Sequence, residues 1–139
     1  VPVAQLFLLA DVHADWPTER SGTGGWFTRG GALLAFPLRD VGEEEDLWRL
    51  IVDVSLDEEA GLDDQAILER FRQLLPVRTG LTNVRIRDAC WTSAFRIHRR
   101  LADHYRRGRM VLAGDAAHVH SVIGGQGMLT GILDAENLA

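Results

Sequence analysis

The sequence contains one cysteine in 139 residues. Cys90 can close no internal disulfide and has no second thiol for a zinc knuckle, which fits an intracellular, reducing setting and a cytoplasmic protein. Its expected role is that of a small buried hydrophobe. No apolar run approaches the ~20 residues that a membrane-spanning helix requires, and no basic-then-apolar leader opens the chain, so no membrane partner is expected. Positive charge is also scarce. Fifteen Lys and Arg against 20 Asp and Glu leave a formal charge of -5, and the basic residues of RIHRRLADHYRRGR are diluted by an acidic chain, which disfavours nucleic acid as a partner. There is no Gly-Lys-Ser/Thr phosphate loop. GQGMLT from Gly125 misses the G-x-G-x-x-G pattern because Thr130 stands at the last Gly position.

What is present supports a packed domain: a hydrophobic fraction of 46% in a chain of one-domain length. VAQLFLLADVHADW reads as a strand stopped by Pro17, and GWFTRGGALLAFPL as a hairpin turning at Gly30-Gly31. In DLWRLIVDV, alternation places Trp48, Leu50, Val52 and Val54 on one face and Arg49 and Asp53 on the other. The acidic run Glu43 to Asp46 between two strands is expected to be a solvated turn without chemistry. LDDQAILERFRQLLP is the clearest helix, capped by Asp63 or Asp64, with Ile67, Phe71, Leu74 and Leu75 at helical spacing and Pro76 following its end. Alternation resumes at Trp91, Ser93, Phe95 and Ile97, RRGR makes a turn, and MVLAGDA reads as a buried strand ending in Gly-Asp. A helix is expected from about Gly127, with Ile132, Ala135 and Leu138 on one side.

The chain closes on VLAGDAAHVHSVIGGQGMLTGILDAENLA, with two His and five Gly. Gly gathers where a chain turns tightly or where something approaches the main chain closely. One reading is metal chemistry: Asp11 to His13, Gly114-Asp115 and His118 to His120 are pieces of a binuclear phosphoesterase site, but they stand about a hundred residues apart and lack an Asn-His element. A second reading is an anion site, because a Gly-rich loop feeding a helix N-terminus offers unpaired N–H groups and the positive end of a dipole. Close packing at Gly127 and Gly131 is the plainer alternative.

The third reading is a resemblance. Gly108-Arg109, Gly114-Asp115-Ala116-Ala117-His118, Gly125-Gln126-Gly127, Gly131, Asp134-Ala135 and Asn137-Leu138 together resemble the second flavin motif of the FAD-dependent aromatic hydroxylases. These are single-component flavoprotein monooxygenases such as p-hydroxybenzoate and phenol hydroxylases and polyketide-tailoring oxygenases. FLLADVHADWP, GWFTRGGALLAFPL, WRLIVDV and SAFRIHRRLADHYRRGR are similar to the middle, substrate-facing sheet of that family, so the resemblance covers nearly the whole chain.

The resemblance implies FAD as cofactor and NAD(P)H as co-substrate, with an aromatic or polyketide substrate hydroxylated through a peroxyflavin. It assigns flavin contacts to Gly114, Asp115, Ser121, Val122, Gly125, Gly127, Met128 and Leu129. Asp115 accepts from the ribityl chain, and the N–H groups of Gly127, Met128 and Leu129 face the pyrimidine edge of the ring. His118 is expected to hold the loop by hydrogen bonding. Phe36, Pro37 and Trp91 are the candidate substrate contacts, no catalytic residue is assigned, and no resident metal is expected. The family usually has two Pro where Ser121 and Val122 stand, and commonly Asn where Leu129 stands.

The expected fold is α+β (mixed α/β): a substrate-type mixed sheet with one long helix over residues 1–98, then a partial FAD-binding strand, loop and helix over residues 99–139. The family's opening dinucleotide fingerprint and its Asp-Gly element are not in this sequence, and its ends look cut. The expectation is therefore a fragment or degenerate member that alone binds FAD weakly or not at all. The alternative is a non-catalytic module lacking flavin that self-associates, a homodimer included, through unpaired strands.

Overall fold

The computed structural model describes residues 3–17, 20, 22–39, 46–59, 62–121 and 124–139. The chain divides into two compact units, Leu6–Phe95 and Val1–Gln5 with Arg96–Ala139. The fold is α+β, an antiparallel sheet with two helices.

The larger unit is built on strands whose alternation the sequence displays. They are β1 (Val3–Asp15), β2 (Gly24–Thr28), β3 (Gly31–Pro37), β4 (Leu47–Val54) and the first part of β5 (Arg85–Leu101), in the order β2-β3-β4-β1-β5. Register follows side-chain parity: Leu8 opposes Val52, Ala10 opposes Leu50 and Val12 opposes Trp48, while Leu33 opposes Val52 and Ala35 opposes Leu50. Because opposed residues share a face, this row is apolar on one side. Helix α1 (Asp64–Thr79) covers it with Ile67, Leu68, Phe71, Leu74 and Leu75. Each such side chain, fully buried, stabilises by about 1.5–3 kcal/mol relative to exposure.

Asp63 caps α1, its carboxylate accepting from Ala66 N at 2.8 Å. The helix does not stop at Pro76 as its sequence suggests. It runs on to Thr79 and ends at Gly80, whose φ of 73° lets its N–H reach Pro76 O. Proline deletes one intrahelical donor, and the buried side chains on either side of it, Leu75 and Arg78, hold the last turn in place. Arg78 donates to the Asp53 carbonyl at 3.3 Å and to its carboxylate at 3.4 Å.

Further expectations are corrected. The β2–β3 turn is centred on Arg29 and Gly30, with Thr28 opposite Gly31. Cys90 is exposed, not the small buried hydrophobe its sequence suggests. Asp46 is not a solvated turn residue, since its side chain is only 16% exposed and bonds His13. Glu43 to Glu45 lie outside the described residues.

In the smaller unit, Arg100 and Leu101 of β5 pair with Val119 and His118 of β8 (His118–Val119). Between them β6 (Arg106–Arg107) and β7 (Met110–Val111) form a two-residue hairpin. The segment MVLAGDA is thus not a buried strand: only Met110 and Val111 are extended in a ladder, and both are exposed because β6 is their sole ladder partner among the described residues. A 3-10 turn, Gly114–Ala116, leads to β8, and helix α2 (Gly127–Leu138) follows.

Candidate functional site

The smaller unit concentrates its polar contacts at one carboxylate. Asp134 Oδ2 accepts from the Gly114 N–H at 2.8 Å and from His118 Nε2 at 2.6 Å. These two bonds pull the Asp134 carboxyl below the ordinary carboxylate range, the backbone N–H of Gly114 contributing most and His118 next. An ionised carboxylate only accepts, so His118 donates from Nε2. Its Nδ1 is buried and has no hydrogen-bond partner among the described residues. The ring of His120 lies 4.8 Å away, centroid to centroid.

Gly114 adopts φ 59°, a left-handed turn that turns the chain directly after β7. Its Cα faces Gly131 so closely that a Cβ added to Gly131 would lie 3.5 Å from it. Gly127, Gly131 and Asp134 follow one another at helical spacing, so one face of α2 is bare enough to lie on the Gly114 turn and carries the carboxylate that ties it there.

Beside this anchor Asp115 is exposed. The first i to i−4 bond of α2 joins Thr130 N to Gln126 O, so the N–H groups of Gly127, Met128 and Leu129 precede the helical ladder. No side chain caps them among the described residues. Gly125, at φ 61°, is exposed, as are Met128 and Leu129. Gly127 and Ser121 are half-buried, and Val122 lies outside the described residues. Among the described residues Asp115 makes no ion pair, so its carboxylate is presented beside the uncapped helix start.

In the larger unit the sheet face opposite α1 carries a second arrangement. Arg49 holds Asp11 with both arms of its guanidinium, Nε to Oδ1 and Nη2 to Oδ2, each at 2.8 Å. The same cation sits 5.8 Å from the centre of the Trp91 ring. Hydrogen bonding to Asp11 raises the Arg49 pKa above its ordinary value, against a smaller opposing effect of burial. Phe36 stands opposite Arg49 in register, whereas Pro37 stands opposite the buried core residue Trp48. Phe36 and Trp91 thus share a face around Arg49, and Pro37 belongs to the row on the other side.

The anchoring role of Asp134, a motif position, and the pairing of Asp11 with Arg49 were not assigned from sequence. For Asp134 the signal was its spacing from Gly127 and Gly131; for the Asp11 and Arg49 pair it was their shared parity on neighbouring strands. The phosphoesterase pieces are otherwise engaged: Asp11 with Arg49, His13 Nδ1 with Asp46 at 2.8 Å, and His118 with Asp134.

Comparison with known proteins agrees with this geometry. The FAD binding domain family matches residues 10–139. The 6-methylpretetramide 4-monooxygenase of Streptomyces rimosus is 38% identical over 135 residues, 97% of this chain and 23% of its own length. Para-nitrophenol 4-monooxygenase of Pseudomonas sp. (strain WBC-3) is 41% identical over 101 residues, 70% of this chain and 23% of its own length. Among solved structures, the anhydrotetracycline hydroxylase OxyS of Streptomyces rimosus superposes with a TM-score of 0.53 at 30% identity, covering 94% of this chain and 25% of that one. The angucycline aromatic hydroxylase CabE gives 0.59 at 29% identity, covering 97% and 26%. The chain spans less than a quarter of the length of these two curated relatives. With nearly all of its residues matched by that family's model, the chain belongs to the FAD binding domain family.

Proposed function

We propose that this chain provides the substrate-type sheet and the second flavin motif of an FAD-dependent, NAD(P)H-using monooxygenase of the cytoplasm that hydroxylates aromatic or polyketide substrates. The observation that carries this reading is the pairing of an exposed Asp115 with an uncapped α2 N-terminus, both fixed to the Gly114 turn by Asp134. The residues fit the cofactor. A carboxylate suits the hydroxyls of a ribityl chain, and open N–H groups at a helix start suit the electron-rich edge of a flavin ring. The buried Nδ1 of His118, without a hydrogen-bond partner among the described residues, adds a polar ring atom to the same turn.

FAD supplies the redox and oxygen chemistry when bound. The residues of this chain position it. Asp115 holds the hydroxylated tail, Gly125, Gly127, Met128 and Leu129 present main chain to the ring, and Ser121 lines the loop. Phe36 and Trp91 on the sheet face offer aromatic surface to a planar substrate, with Arg49 held between Asp11 and Trp91.

FAD titration followed by quenching of flavin fluorescence tests the reading. A saturable signal is expected, weak in this chain and at least tenfold weaker again in Asp115→Ala. Titrations of the two proteins that superimpose, whether saturable or flat, overturn it.

A second reading, self-association without flavin, rests on the apolar exposure of α2, where Met128 is 80% and Ile132 56% exposed. Size-exclusion chromatography with Ile132→Glu separates the two: a dimer that this substitution dissolves, in a chain insensitive to FAD, favours self-association.

A further inference from the structure

Neighbouring strands of the sheet carry three groups that the flavin chemistry does not use. His13 on β1 and Asp88 and Cys90 on β5 bring one ligand atom each within 4.8 Å of one another. Asp88 and Cys90 are exposed and His13 is half-buried. β1 and β5 are neighbours in the sheet, which sets His13 beside Asp88 and Cys90.

We infer that His13, Asp88 and Cys90 form a binding site for a divalent transition metal of the zinc class. The donor set is imidazole, carboxylate and thiolate, which Zn2+ accepts together and which hard cations such as Mg2+ do not. Metal–ligand bonds of about 2.0–2.3 Å place tetrahedral ligands roughly 3.5 Å apart. Contraction by about 1 Å therefore closes the site, and rotation of two exposed side chains supplies it.

Asp46 strengthens the assignment. It takes His13 Nδ1 at 2.8 Å, the carboxylate–imidazole contact that orients a metal-binding histidine. The neighbouring cation, Arg87, is placed against Asp15 at 3.2 Å and against the second oxygen of Asp46. Metal binding releases the Cys90 proton to solvent, and with Asp88 the ligands then carry two negative charges against two positive ones. Three protein ligands leave a fourth position to water.

Titration of the chain with Co2+ under reducing conditions, without FAD, tests the site. One equivalent is expected to bind with the near-ultraviolet charge-transfer band of a thiolate–Co2+ bond, and Zn2+ is expected to displace it. Cys90→Ser should abolish the band; His13→Gln should weaken binding at least tenfold, and Asp46→Asn about tenfold. His104→Gln should change nothing, and circular dichroism of each variant reports whether it is folded. Co2+ binding without the band overturns the proposal, as does a band that survives folded His13→Gln, which marks an exposed thiol acting alone. A folded wild-type chain that binds no Co2+ overturns it as well. None of these outcomes bears on the flavin reading, since no flavin is present.

Discussion

His118 Nε2 lies 2.6 Å from Asp134 Oδ2, and the same oxygen receives the Gly114 N–H. One side chain of α2 thus fixes both ends of the turn that exposes Asp115. Its carboxyl is held below the ordinary range, so the linkage has a definite sign: the contribution is complete above the unfolded value of about 3.9 and fades as pH falls through the lowered folded value. On acidification below about pH 4, the Gly114 amide should therefore lose protection, its exchange approaching the intrinsic rate of an open amide at the same pH. Hydrogen exchange followed by NMR checks this, and Asp134→Ala should show the lowered protection already at neutral pH. An acid response of Gly114 that is identical in both proteins would show that the anchor is not Asp134.

The approach of Gly114 to Gly131 sets different tolerances at the two positions. Gly114 has φ 59°, where a Cβ costs about 1–2 kcal/mol, so Gly114→Ala should lower stability by that amount and weaken FAD binding with it. At Gly131 an added Cβ meets only Gly114 Cα at 3.5 Å, an ordinary contact, and the position is helical. Gly131→Ala should be neutral or slightly stabilising, whereas Gly131→Leu should push α2 off the turn. Thermal melts of the three variants, paired with FAD titration, rank them.

Legibility from sequence followed the range of the interactions. The alternation of Trp48, Leu50 and Val52 and the stripe of Ile67, Phe71 and Leu75 are local consequences of strand and helix periods, and they name the core residues the structure shows. Pro76 misled because a local helix-breaking rule competes with burial of Leu75 and Arg78, and burial prevailed. MVLAGDA misled in the opposite sense, since apolar composition indicates burial only where another layer covers the strand. The flavin motif was readable as a long pattern. Its anchor was not, because the bond from Asp134 to Gly114 joins residues 20 positions apart and no local rule relates them.

Phe71 is fully buried beneath the sheet and touches both layers of the core. Phe71→Ala should cost about 3–5 kcal/mol, the sum of lost transfer energy and the cavity left behind. Phe71→Leu should cost less, because most of the volume is kept. Urea unfolding monitored by circular dichroism distinguishes the two, and a loss below 1 kcal/mol for the alanine variant would place the core elsewhere.

Arg49 and Asp11 offer the sharpest test of the sheet face. Two parallel bonds of 2.8 Å make the pair geometrically specific, but the Arg49 side chain is 39% exposed, and solvent screening keeps such pairs modest. A double-mutant cycle of Arg49→Met with Asp11→Asn should give a coupling energy of roughly 0.5–1 kcal/mol that shrinks in high salt. Arg49→Lys preserves the charge and loses the fork, so it should forfeit most of that coupling. The same substitution alters the cation beside Trp91 and should change tryptophan fluorescence. A lysine variant that kept the full coupling would mean that charge alone, and not the planar two-point grip, organises the face on which Phe36 and Trp91 meet.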